Sequence, residues 1–80
     1  MLKYEDCEAI FSFAATLGRE VAKGADEQEA LAKLQGAIVM FMMLMGLSSS
    51  ILDYVYNMVF ARYQEGFISY FEDNGEDEQE

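Results

Sequence analysis

Residues 34–52, LQGAIVMFMMLMGLSSSIL, carry no charged side chain, and this run decides the fold. Lys33 precedes it and Asp53 follows it. Its 19 residues come close to the ~20 that an α-helix needs to cross a bilayer. A helix that is apolar on all sides lies either in lipid or at the centre of a protein. The run is therefore either a membrane segment or the buried part of a small helical bundle.

Three features of the run favour the bundle. Residues 48–50 are all serine and stand just before Asp53, which predicts a helix boundary inside the supposed span. Methionine supplies four of the apolar side chains, and methionine is typical of adaptable packing surfaces. The flanks offer Lys33 on one side and nothing basic before Arg62 on the other, so they lack a cluster that would orient a span. A small membrane protein of the lysis-regulating type is kept as an alternative.

Outward from this run, the apolar periodicity predicts three α-helices joined by short turns, at about residues 4–23, 26–47 and 50–71. The apolar positions of the first helix recur at helical spacing: Cys7, Ile10, Phe11, Ala14, Leu17 and Val21. Because short turns make consecutive helices antiparallel, the predicted fold is all-α, an up-down-up three-helix bundle. We expect the second helix, the most apolar one, to be its central element.

Local signals set the predicted boundaries. Gly24 suits a helix stop, Asp26 an N-cap, and Ser50 the N-cap of the third helix. Residues 72–80, EDNGEDEQE, contain six acids and no apolar side chain, which is typical of a disordered tail. The sequence thus predicts a helical domain over residues 1–71 followed by an acidic tail.

The residue inventory disfavours an enzyme. The chain has no histidine, one cysteine and no Gly-rich phosphate loop, so we expect neither catalysis nor a metal or cofactor. Cys7 is expected to act as a small core residue. A single thiol and an acidic N-terminus without targeting character favour the cytoplasm.

The charge balance predicts the type of partner. Fifteen acids against five bases give a net charge of −10, which disfavours direct binding to nucleic acid and favours a protein with a basic surface. Bundle topology brings together the acids that open the second helix and those after the third. The candidate electrostatic contacts are Asp26, Glu27, Glu29, Glu72 and Asp73. These acids either serve the helix dipoles and solubility, or imitate a phosphate backbone.

Apolar residues on the second and third helices form a second candidate surface. Aromatic residues recur on the third helix at spacings of four, three, four and three, as in a heptad seam. The candidate apolar contacts are Met42, Met45, Tyr56, Phe60, Tyr63, Phe67 and Tyr70. They pack in the bundle core or at an interface. An apolar fraction of 52% exceeds what one core of 80 residues can hide, so we expect a homodimer.

Taken together, these features favour a non-enzymatic protein-binding module. A short, acidic, helical chain without enzyme residues resembles in general character the small inhibitors that phages and mobile elements direct against host nucleases and defence proteins. The resemblance implies that the acids occupy the basic nucleic-acid-binding surface of a target protein. A structural or assembly protein that acts through helical self-association is the alternative that the apolar seam favours.

Overall fold

The computed structural model describes the backbone of residues 4–78 and the side chains of residues 5–73. The chain forms α1 (Tyr4–Ala22), α2 (Glu27–Met45), a 3-10 turn (Ser49–Ile51) and α3 (Leu52–Glu78). No strand occurs within residues 4–78. The predicted all-α class is therefore confirmed.

Side-chain contacts fix the direction of the helices. The Arg62 guanidinium lies 5.1 Å from the ring centroid of Phe11, and Arg19 donates a hydrogen bond of 3.0 Å to the Ser69 hydroxyl. From the first contact to the second, the residue number rises on α1 and also on α3, so these two helices run parallel. α2 connects them in the opposite direction, which confirms the up-down-up arrangement.

The ends of α2 follow the predicted capping chemistry. The Asp26 carboxylate accepts a hydrogen bond of 2.9 Å from the backbone N–H of Gln28, as an N-cap should. Gly46 ends the helix in the left-handed conformation, with φ of 66°. Gly24, which follows α1, also has a positive φ, of 118°. These predicted boundaries therefore agree with the structure to within two residues.

The predicted start of the third helix is wrong in its capping residue. Ser48, and not Ser50, acts as a cap, and it caps the 3-10 turn rather than α3: its hydroxyl accepts a hydrogen bond of 3.2 Å from the backbone N–H of Ser50. A 3-10 turn follows before α3 begins at Leu52. Any serine of the triplet could fill this role, so local sequence does not separate them.

The predicted end of the third helix, near residue 71, is also wrong, because α3 continues to Glu78. The chain contains no proline to stop it, and extending an existing helix avoids the cost of nucleation. Asp73 pairs with Arg19 of α1 at 3.3 Å, which ties the extension to the bundle. The predicted tail thus begins as helix, and residues 79 and 80 lie outside the described residues.

The core draws on all three helices. Its buried members are Cys7, Ile10, Phe11, Ala14, Leu17, Ala30, Leu34, Ile38, Met42, Val55, Val59 and Tyr63. The expectation that Cys7 is a core residue is confirmed, since 2% of it is exposed. Burial raises the pKa of its thiol, and the neighbouring charge of Asp6 raises that pKa further. The thiol is therefore held in its neutral, unreactive form.

The expectation that the second helix is central is wrong, because the closest helix pair is α1 with α3. A β-carbon at Gly18 would overlap the carbonyl oxygen of Tyr63 and lie 2.8 Å from the backbone nitrogen of Phe67. A β-carbon at Gly66 would likewise overlap the carbonyl oxygen of Ala15. The two backbones are thus in direct contact, and α2 packs against one side of the pair.

Substitution of Gly66 tests this contact. We expect Gly66→Ala to lower the free energy of unfolding by roughly 1–3 kcal/mol, since the methyl group forces the helices apart. Gly36→Ala is the matched control, because Gly36 is also helical and a β-carbon there meets no atom within 4 Å. It should raise stability by roughly 0.5–1 kcal/mol through helix propensity. Urea unfolding followed by circular dichroism measures both, and equal stability of the two variants would contradict the close packing.

Candidate functional site

The structure places the five candidate acids at one end of the bundle, where α2 begins and the last turns of α3 pass. This acidic end consists of Asp26, Glu27, Glu29, Glu72 and Asp73, all exposed. Glu27 lies beside Phe67 and Ile68 of α3, and Asp73 is one to two turns further along the same helix. The acids therefore form one region on two helices, as the topology predicted.

Two of these acids have cationic neighbours. Glu29 lies 3.7 Å from Lys33, and Asp73 lies 3.3 Å from Arg19. Both pairs are exposed, so each contributes at most about 1 kcal/mol and is weakened by salt. Within the described side chains, Glu27 and Glu72 pair with no cation. The acidic end therefore keeps a strong negative field.

The aromatic stripe of α3 is a continuous stack along its first half. Tyr56 and Phe60 stack with ring centroids 5.9 Å apart, and Phe60 and Tyr63 with centroids 5.5 Å apart. Further along, Phe67 and Tyr70 meet Phe71 edge to face, at 5.1 and 5.6 Å. Tyr56, Phe60, Phe67 and Tyr70 are half-buried, so their outer edges remain accessible.

Tyr63 differs from the other aromatic candidates. Only 4% of it is exposed, and its buried hydroxyl has no hydrogen-bond partner among the described residues. A buried hydroxyl without a partner costs about 1–3 kcal/mol. Burial raises the pKa of this phenol, and the negative charge of Glu27 raises it further. The hydroxyl thus lies within the electrostatic influence of the acidic end.

Tyr63 also lines a cavity between the start of α2 and the middle of α3. This aromatic cavity has a volume of about 360 Å³ and is lined by Glu27, Phe60, Tyr63, Gln64, Phe67 and Ile68. Its walls are mostly apolar, with one carboxylate at the side. Its size lies at the lower end of the ~300–1,000 Å³ that ligand pockets have.

The other unusual surface is the outer face of α2, formed by Val39, Met40, Met43 and Leu44. Their exposed fractions are 53%, 63%, 76% and 79%. Phe13 of α1 borders this face on one side and Leu52 of α3 on the other, each across a shallow groove. Large apolar side chains are thus exposed together over two helical turns without a charge among them.

The seven apolar candidates do not all lie at the surface. Met42 joins Tyr63 in the core, with 6% of it exposed, whereas 38% of Met45 is exposed. The sequence-based candidates on α2 did not include Met40 and Met43, which form part of its outer face. Extending the polar face of Glu29 and Lys33 by helical spacing leads to residues 36, 40 and 43, so the phase of the amphipathic first half could have identified it.

Neither a metal site nor a membrane span is found in the described residues. They contain no group of three or more His, Cys, Asp or Glu side chains placed to hold a metal ion. None of their helices combines the length and the hydropathy that crossing a bilayer requires.

Comparisons with protein-family models, with characterised proteins and with solved structures found no match for this chain. Its function is therefore inferred from its own surfaces. The acidic end, the aromatic cavity and the outer face of α2 are the three that could bind another molecule.

Removal of the Tyr63 hydroxyl tests its environment. The raised pKa means that the folded state holds the phenolic proton more tightly than the unfolded state does, so stability is complete below about pH 10 and is lost as pH rises through the raised pKa. Tyr63→Phe should remove this loss, and at pH 7 it should be as stable as the parent or up to about 1 kcal/mol more stable. Tyr54→Phe is the control, because 65% of Tyr54 is exposed.

The measurement is the free energy of unfolding of the three proteins between pH 7 and pH 11. Other groups that titrate above pH 9, including Cys7, are common to all three, so the difference isolates the Tyr63 hydroxyl. A loss of more than 1 kcal/mol at pH 7 in Tyr63→Phe would show that the hydroxyl has a stabilising partner.

Proposed function

We propose that this chain is a non-enzymatic protein-binding module that associates with itself through α2 and binds a basic protein through its acidic end. The observation that supports the proposal most is the outer face of α2. Contiguous exposed apolar surface of this kind usually marks a site of protein association. The charge distribution supports the second half of the proposal.

The occupant proposed for the outer face is a second copy of this chain. The accessible surface is 5656 Å², roughly 750 Å² more than the ~4,900 Å² typical of a monomer of 9.1 kDa. One partner in a standard interface buries about 800 Å². The exposed side chains of Phe71, Glu72 and Asp73 contribute part of this excess, and the outer face of α2 contributes apolar area.

Self-association also fits the charges. Each chain carries a net charge of −10, so two copies repel each other unless they meet where charge is absent. The run from residue 34 to residue 52 is the longest uncharged stretch of the sequence, and it contains the whole outer face. A twofold dimer would bring the same face of both copies together and place Asp53, beside Leu52 and Val39, at the rim.

The partner proposed for the acidic end is a protein with a basic surface. Its field attracts positive charge over a distance, speeds the encounter and makes binding weaken with salt. A nucleic-acid-binding groove is the basic surface that a row of carboxylates suits, since the carboxylates replace phosphates. In this form the module is an inhibitor of the phage or mobile-element type, acting in the cytoplasm.

An assembly protein is the second candidate, and the exposed outer face supports it as well. The two functions differ in what they require. Assembly depends on the outer face of α2 and tolerates loss of the acids, whereas inhibition requires the acidic end.

A charge placed on the outer face tests self-association. Met43→Glu should convert a dimer into a monomer at micromolar concentration, because an unpaired charge buried in an apolar contact costs about 3–5 kcal/mol. Phe71→Glu makes the same kind of change at the far end of α3, where 50% of Phe71 is exposed, and should leave the dimer intact. Sedimentation over a range of concentrations measures both, and a parent protein that is monomeric throughout would refute the dimer.

Neutralising the acids tests the electrostatic contact. The test variant carries Asp26→Asn, Glu27→Gln and Glu29→Gln, and the control variant carries Glu5→Gln, Glu8→Gln and Asp53→Asn. Both have a net charge of −7, and asparagine at residue 26 can still cap α2. In pull-downs at low salt, the test variant should lose basic proteins that the parent and the control capture. Affinity should fall about tenfold or more, because each close charge pair contributes on the order of 1 kcal/mol.

High salt should abolish capture by the parent as well. Identical sets of captured proteins for the test and control variants would refute a role for the acidic end. They would favour the assembly protein instead.

A further inference from the structure

The aromatic cavity combines two polar groups that lack partners with apolar walls. The Tyr63 hydroxyl is shielded from solvent and unpartnered, and Glu27 pairs with no cation among the described side chains. Phe60, Phe67 and Ile68 supply the walls. Such a site is completed by a ligand that offers hydrogen-bond donors, positive charge and an apolar stem.

Other ligand classes fit this cavity less well. An anion would meet the Glu27 carboxylate and a chain whose net charge is −10. A purely apolar group would leave the Tyr63 hydroxyl without a hydrogen-bond partner, so the penalty for burying that hydroxyl would remain. A cationic side chain can interact with both groups, since its nitrogen donates a hydrogen bond to the Tyr63 phenolic oxygen and its charge pairs with the Glu27 carboxylate.

We propose that the aromatic cavity binds a lysine or arginine side chain of the basic partner protein. The inference rests on the proposed function and identifies the place in the acidic end where one cation inserts. The alkyl stem lies against Phe67 and Ile68, as the stems of long basic side chains do on apolar surface. The charged head lies against the Glu27 carboxylate, and a small rotation of the Tyr63 side chain brings its buried hydroxyl within hydrogen-bond reach of the same group.

The same molecule already contains a contact of this chemistry. Arg62 holds its guanidinium 5.1 Å from the ring centroid of Phe11 while its Nη1 atom donates hydrogen bonds of 3.0 and 2.9 Å to the Glu65 carboxylate. An aromatic face on one helix and a carboxylate on another thus hold a cation in this fold. The aromatic cavity presents the same pair of groups without a cation between them.

The experiment is an NMR titration of the whole chain with two short peptides that differ in one residue. One peptide carries a single arginine among alanines, and the other carries citrulline, which has the same shape without the charge. The arginine peptide should shift the ring resonances of Tyr63 and Phe67 and the amide of Glu27. The citrulline peptide should shift them at least tenfold less at equal concentration.

Variants assign the effect to the cavity. Glu27→Gln should weaken binding of the arginine peptide by about tenfold, the effect of losing a charge-assisted hydrogen bond. Glu8→Gln is the control, since it removes the same charge near the start of α1, outside both the acidic end and the aromatic cavity, and its affinity should stay within about twofold of the parent. Tyr63→Phe should weaken binding by about fivefold, consistent with loss of one hydrogen bond. The unfolding free energies of the variants show that they are folded.

The outcomes separate this inference from the proposed function. Equal shifts with both peptides, or equal affinity of Glu27→Gln and Glu8→Gln, would overturn the cavity as a cation site, even if basic proteins are still captured. Arginine binding that depends on Glu27, without capture of any basic protein, would keep the cation site and remove the proposed function.

Discussion

The contact of backbone with backbone between α1 and α3 is the constraint on which the rest of this structure depends. Gly18 and Gly66 remove the two β-carbons that would hold the helices apart, and Ala14 and Ala15 add little bulk beside them. Such close approach leaves no room for a third helix between them. α2 must therefore pack from one side, although it is the most apolar helix of the three.

This one-sided packing explains why apolar surface remains exposed. α2 buries a single row of side chains one turn apart: Ala30, Leu34, Ile38 and Met42. A single buried row is sufficient for packing against the α1–α3 pair from one side. The second half of α2 is nevertheless apolar on every side. The outer face is thus the part of α2 that the pair of α1 and α3 cannot reach, and its composition makes sense if another protein covers it.

Sequence reasoning recovered the elements better than their arrangement. Helical periodicity and the Asp26 cap predicted the bounds of α1 and α2 to within two residues, because those signals are local. The prediction that α2 is the central helix was wrong, because it assumed that the most apolar helix is the most deeply buried. The arrangement depends instead on the contact that Gly18 and Gly66 make possible between α1 and α3, which are far apart in the sequence. The acidic end followed from topology alone. The unpartnered Tyr63 hydroxyl did not, because a missing hydrogen bond has no sequence signal.

The separation of the two surfaces lets each act without disturbing the other. Glu27 and Met43 are 16 residues apart on one helix, which corresponds to ~24 Å at 1.5 Å per residue. This distance is about three times the ~8 Å over which physiological salt screens charge. The carboxylates at the start of α2 therefore do not oppose apolar contact at its end. Conversely, covering the outer face leaves the acidic end and the aromatic cavity open, so one molecule can bind its copy and a basic partner at the same time.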